Sequence, residues 1–387
     1  MNNAQGLGLY IHLPFCRSKC PYCDFYSLAY HPGTAERYLE AVVRALQTAP
    51  AHGPVDTVYF GGGTPSLMGA RALCTLLEAA DRTLGIAGGA EITLEANPGT
   101  VDAALLGELR AGGFNRLSLG LQSAHPDELA ALGRGHTARE AATAVQWAAQ
   151  AGFERLSLDL MLGTPGQTVE TAAQSARYCA ELGVGHISAY LLKIEPETPF
   201  GRRPPACPDE DTLADSYLRV AEVLGGLGYE QYEISNFAKP GQQCRHNLKY
   251  WLCEDYLGVG PAAHSLVEGR RFYFERDLEG FISRPDPWRH IVEDGPGGSL
   301  EEQVMLALRL GQGLAYERLR RGFPHADLAG LAEAARPFAQ AGLLAADREG
   351  IRLTPQGFLV SNGIITALLD ALPDAQRQAL PGRKDRL

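Results

Sequence analysis

The stretch LGLYIHLPFCRSKCPYC, residues 7–23, joins an apolar run to three closely spaced cysteines. The run predicts a buried β-strand, and the loop after it contains Cys16, Cys20 and Cys23. Eight cysteines in a chain of 387 residues do not make a disulfide framework. In a reducing compartment, such a cluster indicates metal or redox chemistry.

Two kinds of metal site suit three cysteines on one loop. Each thiolate can bind one iron of a cubane cluster, and cysteine thiolate is the usual ligand of iron–sulfur clusters. A zinc site is the alternative; it generally needs a fourth protein ligand, for which His12 and Asp24 are local candidates. The spacing by itself favours the iron–sulfur cluster.

Length and composition describe a globular protein of two or three units. With 45% apolar and 21% charged residues, the chain is not a disordered, collagen-like or coiled-coil protein. No apolar run approaches the roughly 20 residues that cross a bilayer. The first 15 residues contain no Lys or Arg, so we expect no signal peptide and a cytoplasmic protein. The net charge of −10 disfavours a nucleic-acid partner.

Short apolar runs alternate with amphipathic helical patterns through the first two hundred residues. The predicted strands are Leu7–Leu13, Val55–Phe60, Glu91–Leu94, Arg116–Leu121, Arg155–Leu160 and His186–Leu192. This alternation predicts an α/β fold with a parallel sheet, wound as an open sheet or as a barrel. Polar motifs follow several successive strands, which favours an incomplete (βα)6 barrel.

The last part of the chain is predicted to be a smaller, mostly helical domain. From Ser299, helical patterns lead to a predicted hairpin over residues 342–355, an arrangement that resembles a winged-helix module. We therefore expect a first domain at residues 1–298 and a second at 299–387. Because the second domain is close to neutral, packing against the first is a better expectation for it than DNA binding.

The spacing Cys-x3-Cys-x2-Cys directly after the first strand resembles the signature of the radical S-adenosylmethionine (SAM) superfamily. Tyr22, just before the third cysteine, is the aromatic residue that this signature expects. The resemblance implies a [4Fe–4S] cluster on Cys16, Cys20 and Cys23, with one open iron that binds SAM. It also implies a partial (βα)6 barrel, which agrees with the number of predicted units.

Further polar positions come where successive strands end. Residues 60–65, FGGGTP, form a glycine-rich turn after the second strand, and glycine lets a ligand approach the backbone closely. Each position has a simpler explanation: Glu95 can cap a turn, and Asp159 can be a satisfied buried carboxylate. Together they resemble the oxygen-independent coproporphyrinogen III dehydrogenase family. That resemblance implies SAM contacts at Tyr10, Tyr22, Gly62, Gly63, Thr64, Glu95, Gln122, Arg134 and Asp159.

The chain departs from the dehydrogenase pattern in two places. The dehydrogenase continues Cys-x2-Cys-x-Cys, whereas the last of these positions is Phe25 here. Only 15 residues precede Cys16, fewer than the first strand and the dehydrogenase's N-terminal arm would need together. Oxidative decarboxylation of coproporphyrinogen III is therefore the alternative function rather than the main one.

The stretch CRHNLKYW, residues 244–251, permits two interpretations from chemistry alone. The simpler one is a turn followed by aromatic core residues. If the stretch is helical, His246 and Tyr250 share a face, and imidazole is a common axial ligand of heme iron. Arg245 and Lys249 would then be expected to reach the heme propionates.

The string His-Asn-x-x-Tyr-Trp resembles the motif of the dehydrogenase-like heme chaperones, the HemW group. This implies that His246, Asn247, Tyr250 and Trp251 hold heme. It also implies a heme chaperone rather than a coproporphyrinogen III dehydrogenase, one that keeps the radical SAM site and passes heme to acceptor hemoproteins such as respiratory enzymes. A homodimer and peripheral contact with the inner face of the membrane are further implications. A radical SAM enzyme acting on RNA is a second alternative, which the net charge disfavours.

Overall fold

The computed structural model describes residues 6–51 and 53–381. Its strands are β1 (Leu7–Leu13), β2 (Phe15–Cys16), β3 (Leu28–Ala29), β4 (Val55–Gly62), β5 (Ile86–Ala96), β6 (Arg116–Gln122), β7 (Arg155–Leu162), β8 (His186–Leu191), β9 (Glu230–Gln231), β10 (Asn236–Ala238), β11 (Tyr256–Val259), β12 (His264–Val267), β13 (Arg270–Phe274), β14 (Ile291–Pro296), β15 (Leu314–Ala315), β16 (Leu344–Ala346) and β17 (Gly350–Leu353).

The helices that join and cover these strands are α1 (Pro32–Gln47), α2 (Gly69–Leu84), α3 (Ala103–Ala111), α4 (Pro126–Ala131), α5 (Ala138–Gln150), α6 (Val169–Glu181), α7 (Pro199–Arg202), α8 (Glu210–Gly226), α9 (Arg245–Trp251), α10 (Leu278–Ser283), α11 (Leu300–Ala307), α12 (Tyr316–Gly322), α13 (Leu328–Gln340), α14 (Pro355–Leu359), α15 (Ser361–Asp370) and α16 (Asp374–Arg377). No helix in these described ranges is long and apolar enough to cross a membrane.

The centre of the fold is a parallel sheet with the order β1-β4-β5-β6-β7-β8. Each strand pairs in parallel with the next, and helices cross between them, which confirms the predicted partial barrel. Parallel strands with helices on the outside end at the same face, where ligands bind. The register aligns Tyr10 with Tyr59 and Glu95 with Ser118, so polar side chains from neighbouring strands meet at one level.

The alternation of apolar residues explains why the outer helices stay on the sheet. In α1, Tyr38, Val42 and Leu46 recur at helical spacing and are fully buried. The Tyr38 hydroxyl donates to the carbonyl of His12 at 2.5 Å, which fixes α1 against the end of β1. Burying side chains of this size stabilises the fold by about 1.5–3 kcal/mol each.

Residues 200–299 extend the sheet at both edges, which the sequence pattern did not predict. On one side, β11 pairs in parallel with β1, and β12, β13 and β14 follow it in antiparallel order. On the other side, β10 and β9 add antiparallel strands beside β8. The third predicted strand is also longer than expected: it begins at Ile86 and includes Gly88 and Gly89, residues that normally weaken a strand.

The C-terminal part is mostly helical, as predicted. Ser299 caps α11 by accepting a hydrogen bond from the backbone N–H of Glu302 at 3.2 Å. The predicted hairpin is β16 and β17, and β15 joins it to make a three-stranded antiparallel sheet beside α13. The outer ends of the two predicted domains, residues 1–5 and 382–387, lie outside the described residues.

Candidate functional site

A cavity of about 630 Å³ occupies the inside of the barrel, within the usual size range of small-molecule sites. Its mouth lies at the carboxyl ends of the strands, where Phe25, Tyr190 and Leu191 are 69%, 42% and 41% exposed. Fifteen predicted site residues line it, namely Tyr10, Cys16, Cys20, Tyr22, Cys23, Gly62, Gly63, Thr64, Glu95, Gln122, Arg134, Asp159, His246, Asn247 and Tyr250. The sequence therefore identified side chains at both ends of one cavity.

The three cysteines are free thiols, each partly exposed at the mouth. Thr64 Oγ1 lies 3.7 Å from Cys16 Sγ, and Arg134 Nη1 lies 3.4 Å from Cys20 Sγ. A guanidinium and a hydroxyl donor stabilise thiolate, the form that binds metal. The donors around these sulfurs therefore fit a cluster bound through thiolates.

The side chains considered as a fourth zinc ligand are engaged elsewhere. His12 Nε2 lies 3.0 Å from the carbonyl of Tyr26, and His12 Nδ1 lies 3.0 Å from the hydroxyl of Tyr10. Asp24 lies 4.0 Å from Arg276. Within residues 6–51 and 53–381, no three His, Cys, Asp or Glu side chains converge on one ion position. A cubane cluster places a separate iron on each thiolate, so it fits three cysteines that do not converge.

The glycine-rich turn after β4 depends on two glycines. Gly62 has φ +115°, and a Cβ there would lie 2.6 Å from the ring of His12. A Cβ on Gly63 would lie 2.6 Å from the backbone oxygen of Phe15. The Gly62 N–H donates to Glu95 Oε2 at 3.2 Å. The turn therefore needs glycine for both its conformation and its close approach to β1 and β2.

Two carboxyl groups face the middle of the cavity. Glu95 accepts a hydrogen bond from the Tyr59 hydroxyl at 2.7 Å, and Asp159 accepts one from Ser118 at 3.2 Å. Burial, with a further contribution from Asp159, raises the pKa of Glu95 from 4.5 to about 7. Burial also raises the pKa of Asp159. Acceptor oxygens in such an environment suit a cationic ligand group.

Gln122 and Arg134 add unpaired polar atoms to the cavity wall. Gln122 has φ +73°, unusual for a residue other than glycine, and its Oε1 is buried without a hydrogen-bond partner. Arg134 donates to the carbonyl of Gly120 at 2.8 Å, while its Nε is also buried and unpaired. Native proteins leave few buried polar atoms unsatisfied, so these two fit a polar ligand such as SAM.

The motif helix α9 closes the opposite end of the barrel. His246 is 1% exposed; its Nδ1 lies 2.8 Å from Thr57 Oγ1, and its Nε2 lies 2.9 Å from the Tyr250 hydroxyl. Burial lowers the pKa of His246 to about 3, so the ring is neutral at pH 7. The ring also stacks on Tyr59 with centroids 5.3 Å apart. The helical interpretation of residues 244–251 is thus confirmed for Arg245–Trp251.

The remaining motif residues divide between two cavities. Asn247 lines the barrel cavity with its Nδ2 unpaired. Trp251 instead lines a second cavity of about 280 Å³, together with Gln303, Leu314 and Arg318 of the C-terminal part. A helix turns about 100° per residue, so Trp251 points roughly 140° away from His246.

The two basic residues of α9 do not face the cavity, so the expectation that they reach heme propionates is wrong. Lys249 Nζ donates to the carbonyl of Gly6 at 2.7 Å and lies 2.9 Å from Asp56 Oδ1. Arg245 donates to the carbonyl of Gly89 at 3.0 Å. Both side chains hold α9 onto the amino ends of the strands.

Several cavity residues were not predicted from sequence. Arg116, Tyr59 and Tyr232 line the cavity beside the predicted residues, and Arg116 is 2% exposed. The signal was present in β6, where positions 116, 118, 120 and 122 alternate with leucines. Alternate positions of a strand share one face, which in a barrel is the interior.

Comparison with known proteins identifies the family. The family model of the radical SAM superfamily matches residues 10–179, and that of the HemN C-terminal domain matches residues 299–360. The heme chaperone HemW of Mycobacterium tuberculosis is 37% identical over 381 residues, covering 94% of this chain and 95% of that protein. The chain belongs to the HemW family.

Other relatives agree with this assignment. The heme chaperone HemW of Escherichia coli is 44% identical over 265 residues, covering 67% of this chain and 70% of that protein. The solved structure of coproporphyrinogen III oxidase HemN from E. coli has a TM-score of 0.80 at 22% identity, covering 94% of this chain and 90% of its own. That likeness confirms the fold. The radical SAM match confirms the predicted superfamily, and with it the [4Fe–4S] cluster and SAM as cofactors.

Proposed function

We propose that this HemW-family protein binds heme and transfers it to acceptor hemoproteins, and that it carries a SAM-binding [4Fe–4S] cluster. One observation carries the proposal: the cavity has three cysteines at its mouth and His246, Asn247 and Tyr250 at its closed end. Relatives that match nearly the whole chain are named heme chaperones.

The residue assignments are part of this proposal. Cys16, Cys20 and Cys23 bind the cluster, which supplies one-electron chemistry when bound. The SAM contacts are Tyr10, Tyr22, Gly62, Gly63, Thr64, Glu95, Gln122, Arg134 and Asp159. The heme contacts are His246, Asn247 and Tyr250, and Trp251 contributes by holding α9 against the C-terminal part.

His246 has the chemistry of an iron ligand. Its neutral imidazole has one N–H and one lone pair. In the tautomer with the proton on Nδ1, Nδ1–H donates a hydrogen bond to Thr57 Oγ1. The lone pair of Nε2 then accepts a hydrogen bond from the Tyr250 hydroxyl. A hydrogen bond from the second ring nitrogen to a fixed acceptor is the usual arrangement for a metal-ligating histidine. Iron ligation at Nε2 would therefore require the Tyr250 side chain to move, because its hydroxyl oxygen lies 2.9 Å from that nitrogen.

The mouth of the cavity also suits a flat apolar ligand with acidic groups. Phe25, Tyr190 and Leu191 form an exposed apolar rim, and Lys19 and Lys193 line the same opening. Exposed apolar side chains around the mouth of a cavity suit contact with an apolar ligand. Phe25 stands where the dehydrogenase pattern has a cysteine, which favours the chaperone over coproporphyrinogen decarboxylation.

The proposal extends to partners and location. Respiratory enzymes are the acceptors that the family resemblance implies, and a homodimer is the implied assembly. We propose a cytoplasmic protein that contacts the inner face of the membrane peripherally and binds no nucleic acid, in keeping with its net charge of −10. A domain division at residue 299 is also proposed.

An anaerobic titration of cluster-reconstituted protein with heme, followed by visible absorbance, tests heme binding. The parent is expected to bind saturably and His246→Ala to bind at least about tenfold more weakly, because one iron ligand is lost. His264→Ala is the matched control, since His264 is an exposed strand residue stacked on Tyr273. Equal binding by the parent and His246→Ala removes His246 from the assignment, and no binding by the parent contradicts the function.

Transfer needs a separate measurement. Heme-loaded protein is mixed with a heme-free respiratory enzyme, and recovery of that enzyme's activity is followed. Recovery that depends on prior heme loading supports a chaperone. Turnover of coproporphyrinogen III by the same reconstituted protein would instead establish the radical enzyme.

A further inference from the structure

Arg116 is a buried guanidinium inside the cavity with no hydrogen-bond partner among residues 6–51 and 53–381. It lies at the start of β6, is 2% exposed, and lines the cavity beside Tyr59 and Tyr232. Its Nε is fully enclosed and unpaired, and within the described part of the chain the side chain has neither a hydrogen bond nor an ion pair. A guanidinium is always charged and offers five N–H donors, so leaving it unpaired in a barrel interior is costly.

The acidic groups near Arg116 are engaged with other donors. Glu91 accepts from the backbone N–H of His246 at 3.1 Å and lies 3.5 Å from Arg155. Glu95 accepts from Tyr59, and Asp159 accepts from Ser118. These carboxylates balance the charge of Arg116, yet none supplies an acceptor atom to its N–H groups. The donors of Arg116 are therefore available to a molecule in the cavity.

The surroundings of Arg116 define what such a molecule must look like. The rings of Tyr59, Tyr232, His186 and His246 line the same part of the cavity, and burial lowers the pKa of both histidines, so both are neutral at pH 7. Arg116 thus offers free N–H donors among neutral rings, which suits an acidic group carried on a flat conjugated frame. A planar guanidinium fork matches a carboxylate in two parallel hydrogen bonds.

We propose that Arg116 is the binding site for a carboxylate of the cavity ligand, one propionate of heme. This rests on the proposed function and replaces the role expected for Arg245 and Lys249, whose side chains point away from the cavity. The carboxylate of SAM is the competing occupant. It is disfavoured because Arg116 starts β6 at the closed end, beside Cys244, Glu91 and Tyr232, whereas the glycine-rich turn and Gln122 lie at the carboxyl ends of the strands.

The experiment compares heme with its dimethyl ester, in which both propionates are neutral. Anaerobic titrations measure the affinity of each porphyrin for the parent, Arg116→Gln and Arg155→Gln. Arg155 is the matched control: it is the register partner of Arg116 on β7, it pairs with Glu91, and it does not line the cavity. SAM affinity is measured on the same proteins.

The parent is expected to prefer heme over the ester by roughly 10- to 100-fold, the contribution of a charged hydrogen-bonded pair. Arg116→Gln loses this preference and binds SAM like the parent, whereas Arg155→Gln keeps the preference. The inference is overturned if the parent binds both porphyrins equally, or if Arg116→Gln keeps the preference. A loss of SAM affinity with the preference intact would assign Arg116 to SAM instead.

Two further arms separate the causes of failure. If Arg116→Gln does not fold, Arg116→Lys keeps the charge without the fork and should show an intermediate preference, while an unchanged preference counts against the proposal. If the parent binds neither porphyrin, the proposed heme function fails and this site fails with it. Heme binding without discrimination rejects the carboxylate site alone.

Discussion

Glu95→Gln tests the electrostatics of the cavity most directly. Glu95 hydrogen-bonds Tyr59 and the Gly62 N–H, and burial beside Asp159 raises its pKa to about 7. The folded protein therefore holds this proton more tightly than the unfolded chain, whose pKa is near 4.5. Glutamine keeps the shape and removes the titration.

The sign and size of the effect follow from the pKa of Glu95. Because the folded pKa is the higher one, the stabilisation is fully present below pH 4.5 and is lost as the pH rises to 7. One pKa unit corresponds to 1.36 kcal/mol, so the loss is about 3 kcal/mol across this interval. Above pH 7 the difference between the parent and Glu95→Gln should stay constant.

Binding of a cation reverses this preference. The positive sulfonium charge of SAM favours ionised Glu95, so SAM affinity should rise by up to about tenfold per pH unit below pH 7 and level off above it. Glu95→Gln should bind SAM more weakly and without this dependence. Glu128→Gln is the control, since Glu128 is a buried carboxyl that accepts from Ser123 and lies outside the cavity.

Urea unfolding at pH 5 to 8 gives the stability difference, and equilibrium binding of SAM over the same range gives the affinity. The expected result is a parent-to-variant difference that falls by about 3 kcal/mol and a SAM affinity whose pH dependence disappears in Glu95→Gln alone. A stability difference that stays flat with pH would refute the burial argument. A SAM pH profile shared by the parent and Glu95→Gln would show that another group sets it.

Three other substitutions test the frame of the site. Lys249→Met should lower the free energy of unfolding by about 3 kcal/mol in urea titrations, because it removes the cation from the buried ion pair with Asp56. The control Lys239→Met, which removes only a cation–π contact with Tyr229, should lower it by about 1 kcal/mol or less. Gly62→Ala should cost at least about 2 kcal/mol and weaken SAM binding, while Gly107→Ala, in α3 with open space around the added Cβ, should stabilise the protein by about 0.5–1 kcal/mol. Phe25→Ser should change the free energy of unfolding by no more than about 0.5 kcal/mol while slowing heme uptake through the mouth; an unchanged uptake rate would show that Phe25 does not contact heme on its way in.

The core of the fold could be predicted because its signals are local. The strands at Leu7, Val55, Arg116, Arg155 and His186 begin where the apolar runs begin. The pairing of β11 with β1 could not be found this way, because it joins two short segments about 250 residues apart and no periodic pattern links them. Strands β12, β13 and β14 depend on that pairing and were missed with it, whereas β9 and β10 are too short for a periodic pattern to reveal.

The same distinction applies to the candidate site. Residues at the carboxyl end of a strand, such as Glu95 and Gln122, could be predicted as site residues because all parallel strands end at one face. Arg116 begins a strand, where a charged residue usually marks the surface, although its alternation with the leucines of β6 places it on the inward face. Trp251 was predicted to share the site because the motif was treated as one unit. The rotation of the helix instead places this last residue beside another cavity.

The closed lower end of the barrel has a kinetic consequence. Among the described residues, α9 covers the amino ends of the strands, and the exposed residues that line the cavity lie beside the cysteine loop. A ligand that reaches His246 must therefore pass the proposed SAM contacts. Two molecules sharing this cavity must then bind in a compulsory order, the deeper one first, and leave in the reverse order. Bound SAM would then block the exit path and slow the dissociation of heme without contacting its iron. Acceptor proteins would receive heme only after SAM has dissociated.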